Sequence, residues 1–457
     1  MGQDNGQSVF FEGVFSKPVV AAFDGEALSS DGGLVLLGAV DRRLRLTERL
    51  AACLTDRRDA SKVEHAYLEL FRQRVFAMAA GYEDQNDAAR TGRDPVLKGL
   101  CGLPALGEEA LGSQPTLSRF ERSQSGRDLV KLARRFETLT IERHRKRLGG
   151  GVRLVTIDLD PTDDPTHGQQ PFAFYNGHYE TWCYLPLLGF LTFDNEPDQH
   201  LFLARLRPGN ASATRAAIPA LRRAIVQIRA EFPKARIRVR LDGGFASPRL
   251  LDFLDKMADE YTVAMPANAR LLELADEYMC CARSVGEYTG ETAAVFGDFQ
   301  YATEKTWPHE RRVVVKAEQT RLKGHDPVDN PRFVVTKLPR KSAEQAYGVY
   351  AGRGDVENRI KELHHGLSVD RTSSTSFLAN QLRVLIAATA YVLFEELRGA
   401  LPTTSEVSRF QVSTIRDHFL KIGARVVESV RRVVLHFPAA YPWAESWKLL
   451  ARAVGAT

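Results

Sequence analysis

The sequence is short of the features that mark several classes of protein. Its 457 residues include only five cysteines, and no two of them have the C-x-x-C spacing. A zinc ribbon and a disulfide framework are therefore disfavoured, and a reducing cytoplasm is the expected compartment. The longest apolar run, residues 384–394, is too short to cross a bilayer and is interpreted as a buried helix, so no membrane partner is expected.

Excess charge is small as well. The chain has 62 Lys and Arg against 57 Asp and Glu, a net charge of +5, which permits a polyanionic partner without identifying one. The hydrophobic fraction of 44% and the charged fraction of 26% are ordinary for a globular protein. At about 150 residues per domain, a chain of this length is expected to form about three domains.

Periodicity and turn residues divide the chain into regions. The predicted regions are a helical N-terminal region (1–148) that is expected to bind DNA ends, an α/β core (149–266 and 341–400), a β-rich insertion (267–340) and a helical C-terminal region (401–457). The three glycines Gly149–Gly151 mark the first boundary, because such a run is typical of a hinge. The chain is therefore expected to be an α/β protein with flanking helices.

The core region has the element order β-β-β-α-β-α-β-α. Its predicted strands include 153–160 with strict alternation, one long apolar strand from Trp182 to Phe193, 201–206 and 236–241, and a single long helix is predicted over 342–365. This order is expected of a ribonuclease-H-like mixed sheet, in which the first and fourth strands are parallel neighbours.

Three carboxylates occupy positions that this sheet would bring together. Asp160 lies near the end of the first strand and Asp242 follows the fourth, and neighbouring strands lie about 4.8 Å apart. Glu357 lies on the long helix, at the edge of its apolar stripe when each residue turns the helix by about 100°. Asp158 shares a face with Asp160, so either of them could be the first carboxylate.

Such a cluster requires compensation of its charge. Two carboxylates about 4 Å apart repel each other by roughly 4 kcal/mol at an effective dielectric constant of about 20. A cation, a proton or a nearby arginine must therefore offset the repulsion. Because the candidate ligands are oxygens alone, the expected metal is Mg²⁺ or Mn²⁺, and a pair of such ions can activate a nucleophile and stabilise a leaving oxygen in phosphoryl transfer.

Four segments also carry a family resemblance. They are 156–168, Leu206–Asn210, Arg240–Phe245 and the pattern Tyr350-x-x-Arg353-x-x-x-Glu357. Through them nearly the whole chain resembles the DDE transposases of bacterial insertion sequences, and most of all the family numbered thirteen-eighty. The resemblance implies an endonuclease of the bacterial nucleoid that cleaves and transfers DNA strands in cut-and-paste transposition. It also implies double-stranded DNA as partner, as terminal inverted repeats and as target, and a homodimer assembled on that DNA.

The resemblance assigns roles to individual residues. Asp160, Asp242 and Glu357 are implied to be the catalytic metal ligands, and Asp160 is preferred to Asp158 because Asp160-Pro-Thr162 resembles the D-x-T form of the family. Tyr350 and Arg353 match the Y and R of the Y-R-E-K signature, whose members contact DNA phosphates near the cut. Arginine suits bidentate contacts with phosphate.

Some positions depart from the family pattern or are open to two interpretations. The lysine of the signature is His364 here, and Lys361, one turn earlier, is a candidate substitute. Trp307 in the insertion is either a residue that stacks on a flipped base or a core residue of the small β unit. Arg119 lies on a helix that resembles the second helix of a helix-turn-helix only weakly, and a capped structural helix is the alternative.

Two other functions remain open at this point. The chain could be a non-catalytic DNA-binding protein on the same scaffold, or a ribonuclease-H-like repair nuclease that cuts without specific terminal repeats. Binding of Mg²⁺ or Mn²⁺ measured by calorimetry discriminates the first alternative, and inverted repeats in the DNA that flanks the coding sequence discriminate the second.

Overall fold

The chain forms two compact units. The computed structural model describes residues 9–11, 16, 17, 19–21, 25, 27–303, 307–402 and 404–456. One unit comprises residues 1–121 together with 389–457, and the other comprises residues 122–388. The two terminal regions that the sequence analysis treats as separate are thus grouped in one unit. The predicted insertion falls in the same unit as the α/β core.

The N-terminal part of the first unit is mainly helical. Its elements are β1 (Val9–Phe11), β2 (Val19–Ala21), β3 (Leu28–Ser29), α1 (Val35–Leu44), α2 (Leu46–Ala51), α3 (Tyr67–Ala79), α4 (Ala88–Thr91), α5 (Pro95–Cys101) and α6 (Gln114–Arg122). Helix α3 is buried on almost every side, with the apolar Leu70, Phe71 and Val75 fully buried and the polar Gln73 and Arg74 buried beside them. A helix of this kind forms the centre of a packed unit, since every face is removed from water.

The second unit contains the α/β core. Its elements are α7 (Gly126–Leu148), β4 (Leu154–Pro161), β5 (Asp164–Pro165), β6 (Phe174–Asn176), β7 (Thr181–Tyr184), β8 (Leu187–Phe193), β9 (His200–Arg205), α8 (Ala217–Glu231), β10 (Arg236–Leu241), α9 (Pro248–Met257), β11 (Glu260–Met265), α10 (Ala269–Thr289), β12 (Ala293–Tyr301), β13 (Arg311–Thr320), β14 (Val328–Asp329), β15 (Arg332–Thr336), α11 (Ala343–Ala351), α12 (Gly354–Leu367) and α13 (Phe377–Arg398). The boundary between the units falls within α13.

The C-terminal part of the first unit corrects the prediction of a helical region 401–457, because it also contains strands. Its elements are α14 (Val412–Ile415), β16 (Ala424–Glu428), β17 (Val433–His436) and α15 (Ala444–Ala453). Strands β16 and β17 form an antiparallel pair, and β16 also pairs with β3. The helical structure that begins at Val412 ends at Leu420, and the alternation of Ala424 and Val426 as buried residues is typical of a strand.

A mixed sheet organises the second unit. In the described residues its strand order is β12-β13-β15-β11-β10-β4-β8-β9, with β14 paired to β13. Strands β4 and β10 are parallel neighbours, as are β10 and β11, whereas β8 is antiparallel to β4 and β9 is antiparallel to β8. The prediction that the first and fourth core strands lie side by side and parallel is confirmed.

Helices cover this sheet, and alternation within the strands assigns each side chain to a face. Helices α8, α9 and α10 contribute to one large apolar core together with residues such as Ile157, Val239 and Val313. The next residue of β13, Val314, points to the opposite face and packs with Ala346 of α11. Because side chains alternate along a strand, the even-numbered residues of β4 and β10 lie on the α11 face.

Three sequence predictions about this unit are wrong in detail. The strand predicted over Trp182 to Phe193 is divided into β7 and β8, because Pro186 lies in the connection and offers no backbone N–H. The predicted β-rich insertion begins with the 21-residue helix α10, and its strands extend the central sheet through the pairing of β15 with β11. The helix predicted over 342–365 is broken at Gly352 and Arg353.

Helix α13 contains the longest apolar run. Among the described residues it is the one helix that is long and apolar enough to cross a membrane by length and composition. Of its most apolar window, 78% is buried inside the molecule, which is the behaviour of an ordinary core helix. The interpretation of 384–394 as a buried helix is confirmed.

Candidate active site

The pairing of β4 with β10 sets the positions of the acidic residues. Asp158 lies directly across from Arg240, and Leu159 lies across from Leu241. The next pair in this register is Asp160 and Asp242, at the carboxyl ends of both strands. Asp242 then turns the chain, because its side chain accepts a hydrogen bond of 2.9 Å from the backbone N–H of Gly244.

Asp158 is wholly committed to an ion pair. Its two oxygens accept hydrogen bonds from Nε and Nη2 of Arg240, at 2.8 and 2.7 Å. The carboxylate is fully buried, and burial raises the pKa of Asp158 although Arg240 acts to lower it. Asp158 therefore serves to hold Arg240, and the structure separates it from the neighbouring Asp160.

Asp160 and Asp242 share one guanidinium. Nη2 of Arg353 donates to Oδ2 of Asp160 at 2.7 Å and lies 3.6 Å from Oδ2 of Asp242. Arg353 and Asp160 each expose 11% of their side chains, whereas Asp242 exposes 28%. An arginine thus provides the charge compensation that the sequence analysis required of a cation, a proton or an arginine.

The low polarity of this site changes the ionisation of both partners. Burial raises the pKa of Asp160 to about 7, an effect that Asp242 and Glu357 reinforce and Arg353 opposes. Burial by itself would lower the pKa of Arg353, but the carboxylates of Asp160 and Asp242 raise it. The guanidinium remains charged, and the carboxylate pair keeps a cation beside it.

The break between α11 and α12 delivers Arg353 to this pair. Arg353 caps α12, and its N–H donates to the carbonyl of Tyr350 three residues earlier, in place of the bond over four residues that a continuous helix makes. Arg240 also contacts the end of α11, since its Nη1 donates to the carbonyl of Val349 at 3.3 Å. Arg240 of β10 thereby holds the end of α11, after which Arg353 follows.

Glu357 does not join the two aspartates in a closed set of ligands. It lies in the first turn of α12, is exposed, and acts on Asp160 through its charge. In the described part of the chain no group of three or more His, Cys, Asp or Glu side chains could hold a metal ion. The assignment of Glu357 as the third ligand remains a prediction.

The chemistry of the aspartate pair fits a divalent cation. Two carboxylates face a single positive centre, and their oxygens are the hard donors that Mg²⁺ and Mn²⁺ prefer. The positive centre in the structure is Arg353, which contacts Oδ2 of Asp160 and lies 3.6 Å from Oδ2 of Asp242.

The remaining signature residues lie along the same two helices. The ring of Tyr350 packs edge-on to Tyr347 with centroids 5.9 Å apart, and burial raises its pKa. His364 lies 3.1 Å from Oγ1 of Thr162 through Nε2, and 3.2 Å from Asp370 through Nδ1. Lys361 is exposed. The structure thus brings His364, and not Lys361, against the loop that follows Asp160.

Trp307 is not brought to the carboxylates. It packs against the core of the second unit, Tyr301 meets its edge, and the guanidinium of Arg311 lies 4.8 Å from its ring centroid. Arg311 binds Asp255, which also accepts a hydrogen bond from Tyr261 at the start of β11. Strands β10 and β11 are parallel, so Tyr261, at the start of β11, lies at the end of the strands opposite to the carboxylates. Trp307 lies at that far end through its contact with Arg311, and a six-residue strand is about 20 Å long.

Arg119 belongs to the first unit. Helix α6 begins at Gln114, directly after Ser113. Arg119 is exposed and lies 3.4 Å from the hydroxyl of Thr116 on the same helix. Its role in DNA binding remains a prediction.

Two residues near the site were missed by sequence reasoning. Arg207 is 2% exposed and donates to the carbonyls of Leu185, Ser212, Ala213 and Arg215. Burial lowers its pKa to about 10. The loop it holds packs on the turn after Asp242, because a Cβ at Gly244 would lie 3.2 Å from Ala213. Its position in the Leu206–Asn210 segment was the available signal.

The second missed residue is Tyr179. It lies in the connection between β6 and β7, and its hydroxyl donates to the carbonyl of Pro161 at 3.4 Å. Burial raises the pKa of Tyr179 to about 12, and the charges of Asp160, Asp163 and Asp242 act in the same direction. The sequence contains no signal for this residue, because only the fold of the loop brings it beside the carboxylates.

The candidate site is a pair of carboxylates at the ends of two parallel strands of a mixed α/β sheet. A comparison with protein families identifies the group: the model described as transposase DDE domain, group 1, matches residues 11–455. The chain belongs to this family of DDE transposases. The chain is therefore a transposase. Membership of this family implies DNA as a partner, and members generally use divalent metal ions. A search of curated proteins gave no match.

Proposed function

We propose that this transposase catalyses cut-and-paste transposition, as a member of the family numbered thirteen-eighty built on a ribonuclease-H-like core. It cleaves DNA strands at insertion-sequence ends and joins the freed 3′-hydroxyl to target DNA. The observation that carries the proposal is the convergence of Asp160 and Asp242 on one guanidinium at the ends of parallel neighbouring strands. Burying two carboxylates side by side costs free energy, and such charge clusters are typical of functional sites.

The topology supports the ribonuclease-H-like assignment. Counted in chain order, the five core strands β4, β8, β9, β10 and β11 are arranged as third, second, first, fourth and fifth across the sheet. The fourth and fifth strands run parallel to the first, and the second and third form the antiparallel hairpin beside it. This arrangement places the end of the first strand and the end of the fourth next to each other.

Each residue of the site has a defined part in this proposal. Asp160, Asp242 and Glu357 would hold Mg²⁺ or Mn²⁺. A bound ion supplies Lewis-acid stabilisation of the charge that develops during phosphoryl transfer. Asp158 and Arg240 form the buried support beneath the site, and Arg207 braces the turn after Asp242.

Contacts with DNA fall to the basic and aromatic residues of α11 and α12. Tyr350 lies on α11, Arg353 directly precedes α12, and Lys361 and His364 lie on α12. Arg119 is exposed on α6 in the other unit. Contacts of this kind are made mainly with phosphates, so the affinity is expected to fall steeply as the salt concentration rises. Two element ends require two active sites, and we propose a homodimer on DNA.

The decisive experiment compares strand cleavage with DNA binding. Asp242→Asn and Asp160→Asn should abolish cleavage of end DNA in Mg²⁺ and leave the gel shift with the same DNA intact. Glu273→Gln, an exposed carboxylate on α10, is the control and should cleave like the unmodified protein. Cleavage retained by Asp242→Asn would refute the assignment of the site.

A second candidate function is supported by one observation. Because Arg353 contacts Asp160 and Asp242, and Glu357 is not gathered with them, the same scaffold could bind DNA without catalysis. Calorimetry with Mn²⁺ in the presence and absence of DNA separates the two functions. Absence of metal binding in both conditions favours the non-catalytic protein, whereas binding that Asp242→Asn removes favours the transposase.

A further inference from the structure

We propose that Arg353 competes with the divalent metal for Asp160 and Asp242, and that a DNA phosphate, by drawing this guanidinium away, opens the carboxylates to the metal. The inference rests on the proposed function and adds a coupling between the two ligands. It gives Arg353 two alternating partners, the carboxylate pair in the free protein and a phosphate in the DNA complex.

The first argument concerns the atoms in competition. Nη2 of Arg353 donates to Oδ2 of Asp160 at 2.7 Å and faces Oδ2 of Asp242 at 3.6 Å. An ion held by Asp160 and Asp242 would take the place beside these oxygens that the guanidinium now occupies. Because two cations at that place would repel each other, binding of one is expected to displace the other.

The second argument is the unused capacity of the guanidinium. Nε of Arg353 is buried, and among the described residues it has no hydrogen-bond partner. Arg353 faces both carboxylates with a single nitrogen, Nη2. It therefore lacks the two parallel hydrogen bonds of a bidentate pair, which make such pairs strong. Arg240, two residues before Asp242, is held in that way by both oxygens of Asp158.

The third argument is the backbone at Arg353. The residue lies between two glycines at the break of α11 from α12. A Cβ at Gly354 would meet open space, and a Cβ at Gly352 would lie 2.7 Å from Nη1 of Arg240. Packing therefore explains Gly352 but not Gly354. Glycine at this first position of α12 leaves the backbone next to Arg353 without the restriction that a side chain would impose.

The consequence is reciprocal coupling. If a phosphate draws Arg353 from the carboxylates, metal binds more tightly to the DNA complex, and by linkage DNA binds more tightly to the metal-loaded protein. The free protein would keep its carboxylates neutralised by its own arginine. A metal-loaded site without DNA would then be disfavoured, and with it cleavage of the wrong substrate.

The test is an isothermal calorimetric titration of Mn²⁺ into the whole protein without DNA. Arg353→Gln removes the competitor and should bind Mn²⁺ about 5–150-fold more tightly than the unmodified protein, the range typical of coupled sites. Arg353→Lys keeps the charge and should give an intermediate affinity. Arg359→Gln on the same helix, whose arginine contacts Asp198 and Glu362, is the matched control and should bind like the unmodified protein.

The DNA arm uses a short duplex taken from the DNA that flanks the coding sequence. Mn²⁺ should raise the affinity of the unmodified protein and of Arg359→Gln for this duplex, and should raise it much less for Arg353→Gln. Equal or weaker Mn²⁺ binding by a folded Arg353→Gln protein would overturn the competition. If cleavage still depends on Asp242 in that case, the proposed function stands alone; if Asp242→Asn cleaves DNA, the proposed function fails whatever the calorimetry gives.

Discussion

Arg240 donates hydrogen bonds to both carboxylate oxygens of Asp158, its direct partner across the parallel strands β10 and β4. The pair lies two residues before Asp160 and Asp242 along the two strands, on the same face of the sheet. Because Arg240 also donates to the carbonyl of Val349, the pair connects the two strands to the end of α11. On this face of the sheet, a buried ion pair therefore supports the candidate active site.

Removal of one member of this pair should be severe. Arg240→Met leaves the fully buried Asp158 without its partner and should lower the free energy of unfolding by about 3–5 kcal/mol. Urea denaturation measures this loss. Arg236→Met, on the same strand but with 59% of the side chain exposed, should cost no more than about 1 kcal/mol. Equal losses in the two variants would show that the Asp158 pair does not support the fold.

The Leu206–Asn210 segment contains a second sensitive position. A Cβ at Gly209 would lie 2.0 Å from the carbonyl oxygen of Cys183 and 2.8 Å from that of Phe174, both of them backbone atoms that cannot rotate away. Gly209→Ala should thus lower the free energy of unfolding by about 1–3 kcal/mol. Gly177→Ala is the control in thermal denaturation, since a Cβ there meets nothing within 4 Å. Similar melting of the two variants would contradict the close approach at Gly209.

Asp164 should make the stability depend on pH. Burial raises its pKa to about 8, although its hydrogen bond with Thr372 acts to lower it, whereas the unfolded chain titrates near an ordinary value of about 4. Between these values the folded protein binds the proton that the unfolded chain has lost. The free energy of unfolding should therefore fall as the pH rises from about 4 to about 8.

Asp164→Asn tests this dependence, because an amide can still hydrogen-bond with Thr372 and does not ionise. Relative to the unmodified protein, the variant should gain stability progressively from about pH 5 to about pH 8. Denaturation curves across this range provide the measurement. A smaller slope of the same sign should persist, since the pKa of Asp160 is also raised, to about 7. Parallel curves for the two proteins would show that Asp164 is ionised when folded.

Trp307 is expected to matter for stability and not for DNA. Its ring contacts Arg311 and Tyr301, at the end of the strands opposite to the carboxylates. Trp307→Leu should lower the free energy of unfolding, by at least the ~0.5–1 kcal/mol of the cation–π contact, and leave the affinity for end DNA unchanged in fluorescence anisotropy. Tyr288→Leu, at a side chain that is 93% exposed, serves as control. A marked loss of DNA affinity with intact stability would instead support base stacking by Trp307.

Much of the core was predictable because its signals are local. Alternation in 153–160 identifies a strand with Asp158 and Asp160 on one face, and the element order places Asp242 at the end of a parallel neighbour. The break of the long helix was less accessible, since Gly352 and Gly354 interrupt an otherwise continuous apolar stripe. The strand pairing of β16 with β3 joins residues about four hundred positions apart, and no local pattern encodes it.

The sequence by itself determined which carboxylates end the two strands, because strand periodicity and turn residues act over a few neighbouring positions. Only the tertiary structure decided what each acid contacts. Asp158 and Asp160 are alike in sequence, yet the register of β4 against β10 gives the first to Arg240, and the end of α11 gives the second to Arg353. Charge pairing inside a protein depends on distances of a few ångströms between remote segments, and those distances exist only after the sheet and helices have packed.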